Sequence, residues 1–138
     1  MIITAAALMM GGSALQAQQV KIGKSNIKLT QDTMTPEALW GMGRIGSAAP
    51  SPDGKKIVYQ VGYYSVQENK GHQMLYVMDA DGKNVKQLTT TDKSETDASW
   101  LDNNTIAYLS DGQIWKMNAE GSNRQKLTSD KIDIEGYK

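Results

Sequence analysis

The chain has 138 residues, 39% of them apolar and 22% charged, which allows one domain with a modest core. Lys and Arg total 15, as do Asp and Glu; without a basic excess, a nucleic-acid or anionic-membrane surface is disfavoured. Cysteine is absent and His72 is the sole histidine, which rules out disulfides, thiolate metal sites, a Cys nucleophile, a lipoprotein anchor and a multi-histidine metal site.

Residues 1–17 read MIITAAALMMGGSALQA, and Met1 to Leu15 carry no charged side chain. The run is shorter than the roughly 20 apolar residues that span a bilayer. It reads as the apolar region of a secretory signal, with Leu15-Gln16-Ala17 as the cleavage site, although no Lys or Arg precedes it. A periplasmic or secreted location is therefore expected; the alternative is a buried amino-terminal helix. Residues 18–34 are polar with scattered Val20, Ile22, Ile27 and Leu29, and read as a short edge strand or a loose arm.

Thr35 to Met42 is the one segment with helix signals. Thr35 caps, Pro36 suits the first position, Glu37 favours the positive end of the dipole, and Gly41 and Gly43 end it. Leu39 and Trp40 are expected to pin this helix to the segment after it, a structural role for Trp40. From Gly46 onward β-branched and aromatic runs alternate with turn residues. Strands are predicted at Ile57–Tyr59 with Val61, Leu75–Met78, Val85–Leu88, Thr105–Leu109, Ile114–Met117 and Arg124–Leu127. Turns fall at Asp53-Gly54, Asp81-Gly82, Asn103-Asn104, Asp111-Gly112 and Glu120-Gly121, where Gly or Asn supplies a positive φ. The region is predicted to be all-β, built of antiparallel hairpins.

An internal repeat organises these strands. Ala49, Asp53, Ile57 and Tyr59 recur 49 residues later as Ala98, Asp102, Ile106 and Tyr108. Met78, Ala80, Gly82, Asn84, Leu88 and Thr89 recur 39 residues later as Met117, Ala119, Gly121, Asn123, Leu127 and Thr128. The ten-residue difference lies between Tyr59 and Leu75, so the first copy has a longer hairpin, its tip near residues 67–71. With the segments entering Ala49 and Ala98, each copy gives four antiparallel strands, the unit of a β-propeller blade. Rings of this kind close with typically four to eight blades. Two blades are present, and Asp92-Lys93 reappears as Asp130-Lys131 where a third would begin. The expected organisation is a signal segment (1–17), an arm (18–34) and two blades of an incomplete propeller (35–138).

SPDGKKIVY (51–59) and LYVMDADGKNVKQLT (75–89) resemble the PD40 repeat shared by TolB-type propellers and those of the prolyl oligopeptidase family. MTPEALWGMGRIGSAAPSPDGKKIVY (34–59) and the hairpin YYSVQENKGHQMLY (63–76) resemble the start of the bacterial dipeptidyl and acylaminoacyl peptidases of that family. The resemblance covers residues 34–138. It implies a propeller seated over an α/β-hydrolase domain with a Ser-His-Asp triad that cleaves short peptides. There the propeller restricts access and helps hold the peptide amino terminus. No G-x-S-x-G elbow occurs in this sequence, so no triad residue carries over. The chain is expected to hold no catalytic, cofactor-binding or metal-binding residue. Its implied partners are further blades, the hydrolase domain and short peptide substrates, with neither nucleic acid nor a membrane anchor. A non-enzymatic periplasmic TolB-like propeller that binds proteins is the alternative. A self-contained small β protein is the third reading, disfavoured by the open faces it would leave.

Individual residues are weighed on the same terms. Asp53, Asp81 and Asp102 read as turn formers, since no calcium-loop spacing surrounds them. Tyr59, Tyr76, Tyr108 and Trp115 occupy repeat-equivalent strand positions and are assigned to packing between blades. Glu68 and His72 are expected to be exposed on the long hairpin, as contacts to a neighbouring domain or as a solvated tip. Met9, Met10 and Met42 carry no separable signal.

Overall fold

Turn chemistry and strand alternation together cut this chain into two like units. A computed structural model describes residues 22–28, 30, 32–129, 131 and 133–137; the expected signal segment, 1–17, lies outside the described residues. Helix α1 (Pro36–Gly41) is followed by β1 (Arg44–Pro50), β2 (Lys56–Ser65), β3 (Lys70–Asp79) and β4 (Lys86–Gln87). Then come β5 (Glu95–Trp100), β6 (Thr105–Ser110), β7 (Gln113–Asn118) and β8 (Gln125–Lys126). The strands form two four-stranded antiparallel sheets, ordered β1-β2-β3-β4 and β5-β6-β7-β8. The described part of residues 18–34 contains neither helix nor strand.

The helix starts as its residues dictate. Thr35 is extended, and its Oγ1 accepts a hydrogen bond from Ala38 N at 3.2 Å, with Pro36 and Glu37 in the first turn. The anchoring expected of Leu39 is not seen: it stays 48% exposed. Six residues make fewer than two turns, and the side chain they bury is that of Ala38. Trp40 lies against Tyr64 of β2, ring centroids 5.2 Å apart, with the Arg44 guanidinium 5.2 Å over its ring.

The recurring turn and edge residues have physical roles that both sheets repeat. Gly82 and Gly121 adopt φ of 82° and 81°, and Asn84 and Asn123 adopt 52° and 53°. Both positions are left-handed, where glycine or asparagine is favoured. Gly82 N donates to Asp79 O and Gly121 N to Asn118 O, each at 2.9 Å. Ala80 N donates to Lys55 O at 2.8 Å and Ala119 N to Asn104 O at 2.7 Å, tying each of these turns to the preceding one. The outer strands β4 and β8 are two residues long, so the neighbouring strands outrun them. The threonines fill that gap. Thr89 Oγ1 accepts from Leu75 N at 2.9 Å, and Thr128 Oγ1 accepts from Ile114 N at 3.0 Å.

Two expectations need correction here. Asn103 and Asn104 do not take positive φ; instead the Asp102 carboxylate accepts from Asn104 N and Thr105 N, both at 2.7 Å, and Leu101 N donates to Thr105 O at 2.9 Å to close the turn. The pairing of Ala49 with Ala98 is also one residue out of register. Pro50 faces Ile57 while Trp100 faces Ile106, so the first strands stand 50 residues apart although the second strands stand 49 apart. The extra residue sits in the turn at 51–55, where Ser51 and Gly54 close an added loop with the Asp53 carboxylate. Both first strands carry a bulge, between Ile45 and Ala48 and between Thr96 and Ser99.

Most of the additional length of the first hairpin is ladder: β2 and β3 are each four residues longer than β6 and β7, and the tip takes the other two. Strands β2 and β3 run ten residues each and pair continuously from Lys56↔Asp79 to Ser65↔Lys70. The tip is Val66–Asn69, with Asn69 at φ 48°, and Gly71 is inside the strand. The second hairpin closes at Asp111-Gly112, φ 52° and 67°, the two positive values of a type I′ turn.

The sheets pack face to face. Val58, Leu75, Val77 and Leu88 of the first meet Ile106, Tyr108, Met117 and Ala119 of the second, with Ala49, Ala98, Trp100 and Trp115 closing the rim. β5 is the strand of the second sheet that lies against β1, β2 and β3.

Candidate functional site: the two open faces and the long hairpin

The sequence offered no catalytic cluster, so the surfaces on which this chain can act are its uncovered sheet faces and hairpin. Tyr59 and Tyr76 pair across β2 and β3 and stack at 5.6 Å and 22°. With Ile57 and Met78 they form the face turned away from the second sheet. Their repeat equivalents, Tyr108, Trp115, Ile106 and Met117, are the side chains that fill the core between the sheets. One set is half-buried and the other is covered: Tyr108 is 2% exposed. Burial raises the phenol pKa of Tyr59, Tyr76 and Tyr108, helped at Tyr76 by hydrogen bonding to Tyr63.

The junction between the sheets is held by groups that the repeat does not share. Trp100 Nε1 donates to Ala49 O at 2.9 Å, and Arg124 donates to Leu88 O at 2.5 Å. Asn103 Oδ1 accepts from Asp53 N at 2.9 Å. Glu120 takes Lys56 at 3.4 Å and Lys86 at 3.2 Å, which hold its carboxyl below the ordinary range. By register, Pro50 and Val85 stand on the first sheet where Trp100 and Arg124 stand on the second. Neither can donate a side-chain hydrogen bond, so a sheet covering the Tyr59 face cannot be clasped the same way. Asn103 and Glu120 were read from the sequence as turn residues only, and Trp100 and Arg124 were given no role between the sheets. The only signal for them was that they break a repeat their neighbours keep.

The far face of the second sheet holds the last described segment. Ile134 N donates to Gly112 O at 2.8 Å. The Tyr137 hydroxyl donates to Asp97 O at 2.8 Å and lies 3.1 Å from Ser99 Oγ.

The long hairpin divides its two candidates. Glu68 sits at the exposed tip, its N–H donating to Ser65 Oγ at 3.2 Å. His72 is not exposed as expected: it is 6% accessible. The arm and the linker between the sheets cover it, and both supply backbone carbonyls to its ring. Asp53, Asp81 and Asp102 each accept from the backbone N–H two residues on, at 3.1, 3.0 and 2.7 Å, as turn formers do. Hydrogen bonds, to the Ser51 hydroxyl first for Asp53 and to Asn104 N first for Asp102, hold those two carboxyls low. Glu95 is buried at the start of β5; Thr91 donates to its Oε1, and its Oε2 has no partner among the described residues.

Among the described residues, no group of three or more His, Cys, Asp or Glu side chains is placed to hold a metal ion. Nor is any helix long and apolar enough to cross a membrane.

No family model matches the chain. It is 34% identical over 125 residues to the dipeptidyl-peptidase 5 of Porphyromonas endodontalis, an alignment covering 83% of this chain and 18% of that protein. It is 37% identical over 82 residues to the dipeptidyl-peptidase 5 of Porphyromonas gingivalis, covering 59% of this chain and 12% of that one. Among solved structures, the apo isopeptidase AtxE2 superposes with a TM-score of 0.60 at 19% identity, over 75% of this chain and 21% of that chain. At that identity the superposition shows a shared fold. The chain thus spans less than a fifth of the dipeptidyl peptidases to which it is similar.

Proposed function

We propose that residues 35–138 are the first two blades of a β-propeller belonging to a secreted serine peptidase that releases dipeptides or acylated residues from short peptides. The reading is carried by the 34% identity to a dipeptidyl peptidase across 83% of the chain. The packing agrees with it. Ile106, Tyr108, Trp115 and Met117 cover one neighbour, and the first sheet presents the equivalent set, Ile57, Tyr59, Tyr76 and Met78, with no sheet of the described residues upon it. An interface that joins a face to its own repeat's opposite face is heterologous, and such interfaces close into rings when the rotation allows. The propeller would limit access to the active site, and the chain itself would not catalyse.

The test uses the whole natural polypeptide that contains this segment. A fluorophosphonate should label it, and dipeptides should be released from unblocked peptides or acylated residues from blocked ones. Blockage of labelling by substitution of one serine outside residues 1–138 would fix the assignment. An unlabelled, inactive protein that instead retains protein partners would replace it with a binding propeller.

A further inference from the structure

Glu95 opens β5 with 1% of its surface exposed. Thr91 donates to Oε1, and Oε2 has no partner among the described residues. A carboxylate taken out of water with a single hydrogen bond is strongly disfavoured unless positive charge lies against it. Among the described residues, no Lys, Arg or His side chain forms an ion pair with it. The Lys93 ammonium turns to Asp111 at 3.0 Å, and the Arg124 guanidinium donates to Leu88 O and Gly121 O.

The oxygens beside this carboxylate outnumber their protons. Thr91 Oγ1, in contact with Glu95 Oε1, also lies 3.2 Å from Lys93 O. A hydroxyl has one proton and serves one of these acceptors. Lys93 N donates to Thr91 Oγ1 at 3.2 Å, and His72 Nε2 lies 2.9 Å from Lys93 O. Each of these contacts leaves its oxygen a second lone pair. Thr91, Lys93 and Glu95 are alternate residues of the linker between the sheets, a spacing with which loops gather oxygens around hard cations. The residues between them are turned to other tasks: Ser94 Oγ accepts from Gln73 N at 3.1 Å, and Asp92 is exposed. Lys93 is itself exposed, which gives the cluster a way to solvent.

We propose that Thr91, Lys93 and Glu95 hold a monovalent alkali cation that fixes the linker at the junction of the two sheets. Thr91 Oγ1, Lys93 O and the two carboxylate oxygens are its ligands. All are hard oxygens, the donors that alkali and alkaline-earth ions take. Charge selects between those ions. A single carboxylate is neutralised by a single positive charge, whereas a divalent ion leaves an excess charge at a buried position. The set contains one acidic side chain with a hydroxyl and a carbonyl, so it is distinct from a cluster of three or more His, Cys, Asp or Glu side chains, which the described residues lack.

The test compares the full chain in sodium, potassium and tetramethylammonium chloride at equal ionic strength and about pH 8. Tetramethylammonium is too large for a shell of oxygens. Sodium or potassium at about 0.2 M should raise the thermal midpoint over tetramethylammonium by roughly 3 °C or more. The ²³Na resonance should broaden in the presence of the chain and sharpen again when potassium chloride is added. Glu95→Gln keeps the shape and removes the charge; it should lose both the cation-specific rise and the broadening. Thr91→Val removes one ligand and should reduce both. Equal midpoints in the three salts overturn the site, as does a rise of the same size in Glu95→Gln. A rise that appears with millimolar calcium chloride and not with sodium or potassium overturns the monovalent assignment. Should Glu95→Gln fail to fold, the ²³Na linewidth decides: no broadening by the natural chain, or equal broadening by Thr91→Val, overturns the proposal.

Discussion

Asp53, Asp102 and Glu120 share one electrostatic property for three local reasons: a serine hydroxyl, backbone N–H groups and a pair of lysines stabilise their ionised forms. A carboxyl whose pKa is lower in the folded than in the unfolded chain adds stability above its unfolded value. It loses that contribution as pH falls through the lower folded value. For Glu120 the ordinary value is 4.5. Thermal midpoints of the natural chain and of Glu120→Gln should therefore converge as the solution is acidified below about pH 4. The natural chain should be the more stable near neutrality, by a modest margin because the pair with lysine is open to solvent. Added salt should narrow the gap, since exposed charges are screened. A gap unchanged by both acid and salt would assign Glu120 a purely steric role. The aspartates stay in place in both proteins, so the difference isolates the glutamate.

At the scale of elements, the two hairpins show what a turn residue decides. Asp111 and Gly112 take the paired positive φ that lets β6 and β7 close in two residues. A methyl group at Gly112 meets the strain of the left-handed region and also runs into the Asp133 carboxylate. Gly112→Ala should cost about 1–2 kcal/mol in urea denaturation, with the larger part from backbone strain. Gly54→Ala is the control: its φ is 68°, and nothing lies near its Cβ position, so it should register the strain alone. Much of this level was legible beforehand, because Gly, Asn and Asp at hairpin ends act through their own backbones. The first strands were harder to bound. RIGSAAP in β1 and ETDASW in β5 are small and polar. They are strands because β2 and β6 offer them a ladder, and propensity contributes little.

For the molecule as a whole, Tyr59 and Tyr108 occupy the same place in the repeat and opposite circumstances in the fold. Tyr108 lies between the sheets, while Tyr59 lies on the open face of the first. In this chain Tyr108→Ala should cost roughly 3–5 kcal/mol, as truncation of a buried aromatic does. Tyr59→Ala should cost less than about half of that, because part of its area is already in water. Urea midpoints measure both. Equal losses would mean that the Tyr59 face is covered in solution, and sedimentation would then show an associated species.

The sequence by itself determined the hairpins, the repeat, the greater length of the first hairpin and the resemblance to peptidase propellers. Those rest on alternation and on residues whose conformational limits are intrinsic, and they need no distant partner to be read. Tertiary structure decided the rest. His72 looked like an exposed residue on a hairpin flank, and its burial comes from Ile22 and Lys93, 50 and 21 residues away. The clasp of Trp100 and Arg124 onto Ala49 and Leu88 spans 51 and 36 residues. Which of two equivalent tyrosines is core also depends on which sheet has a neighbour. Burial and long-range hydrogen bonding belong to pairs of segments, and no single segment's composition contains them.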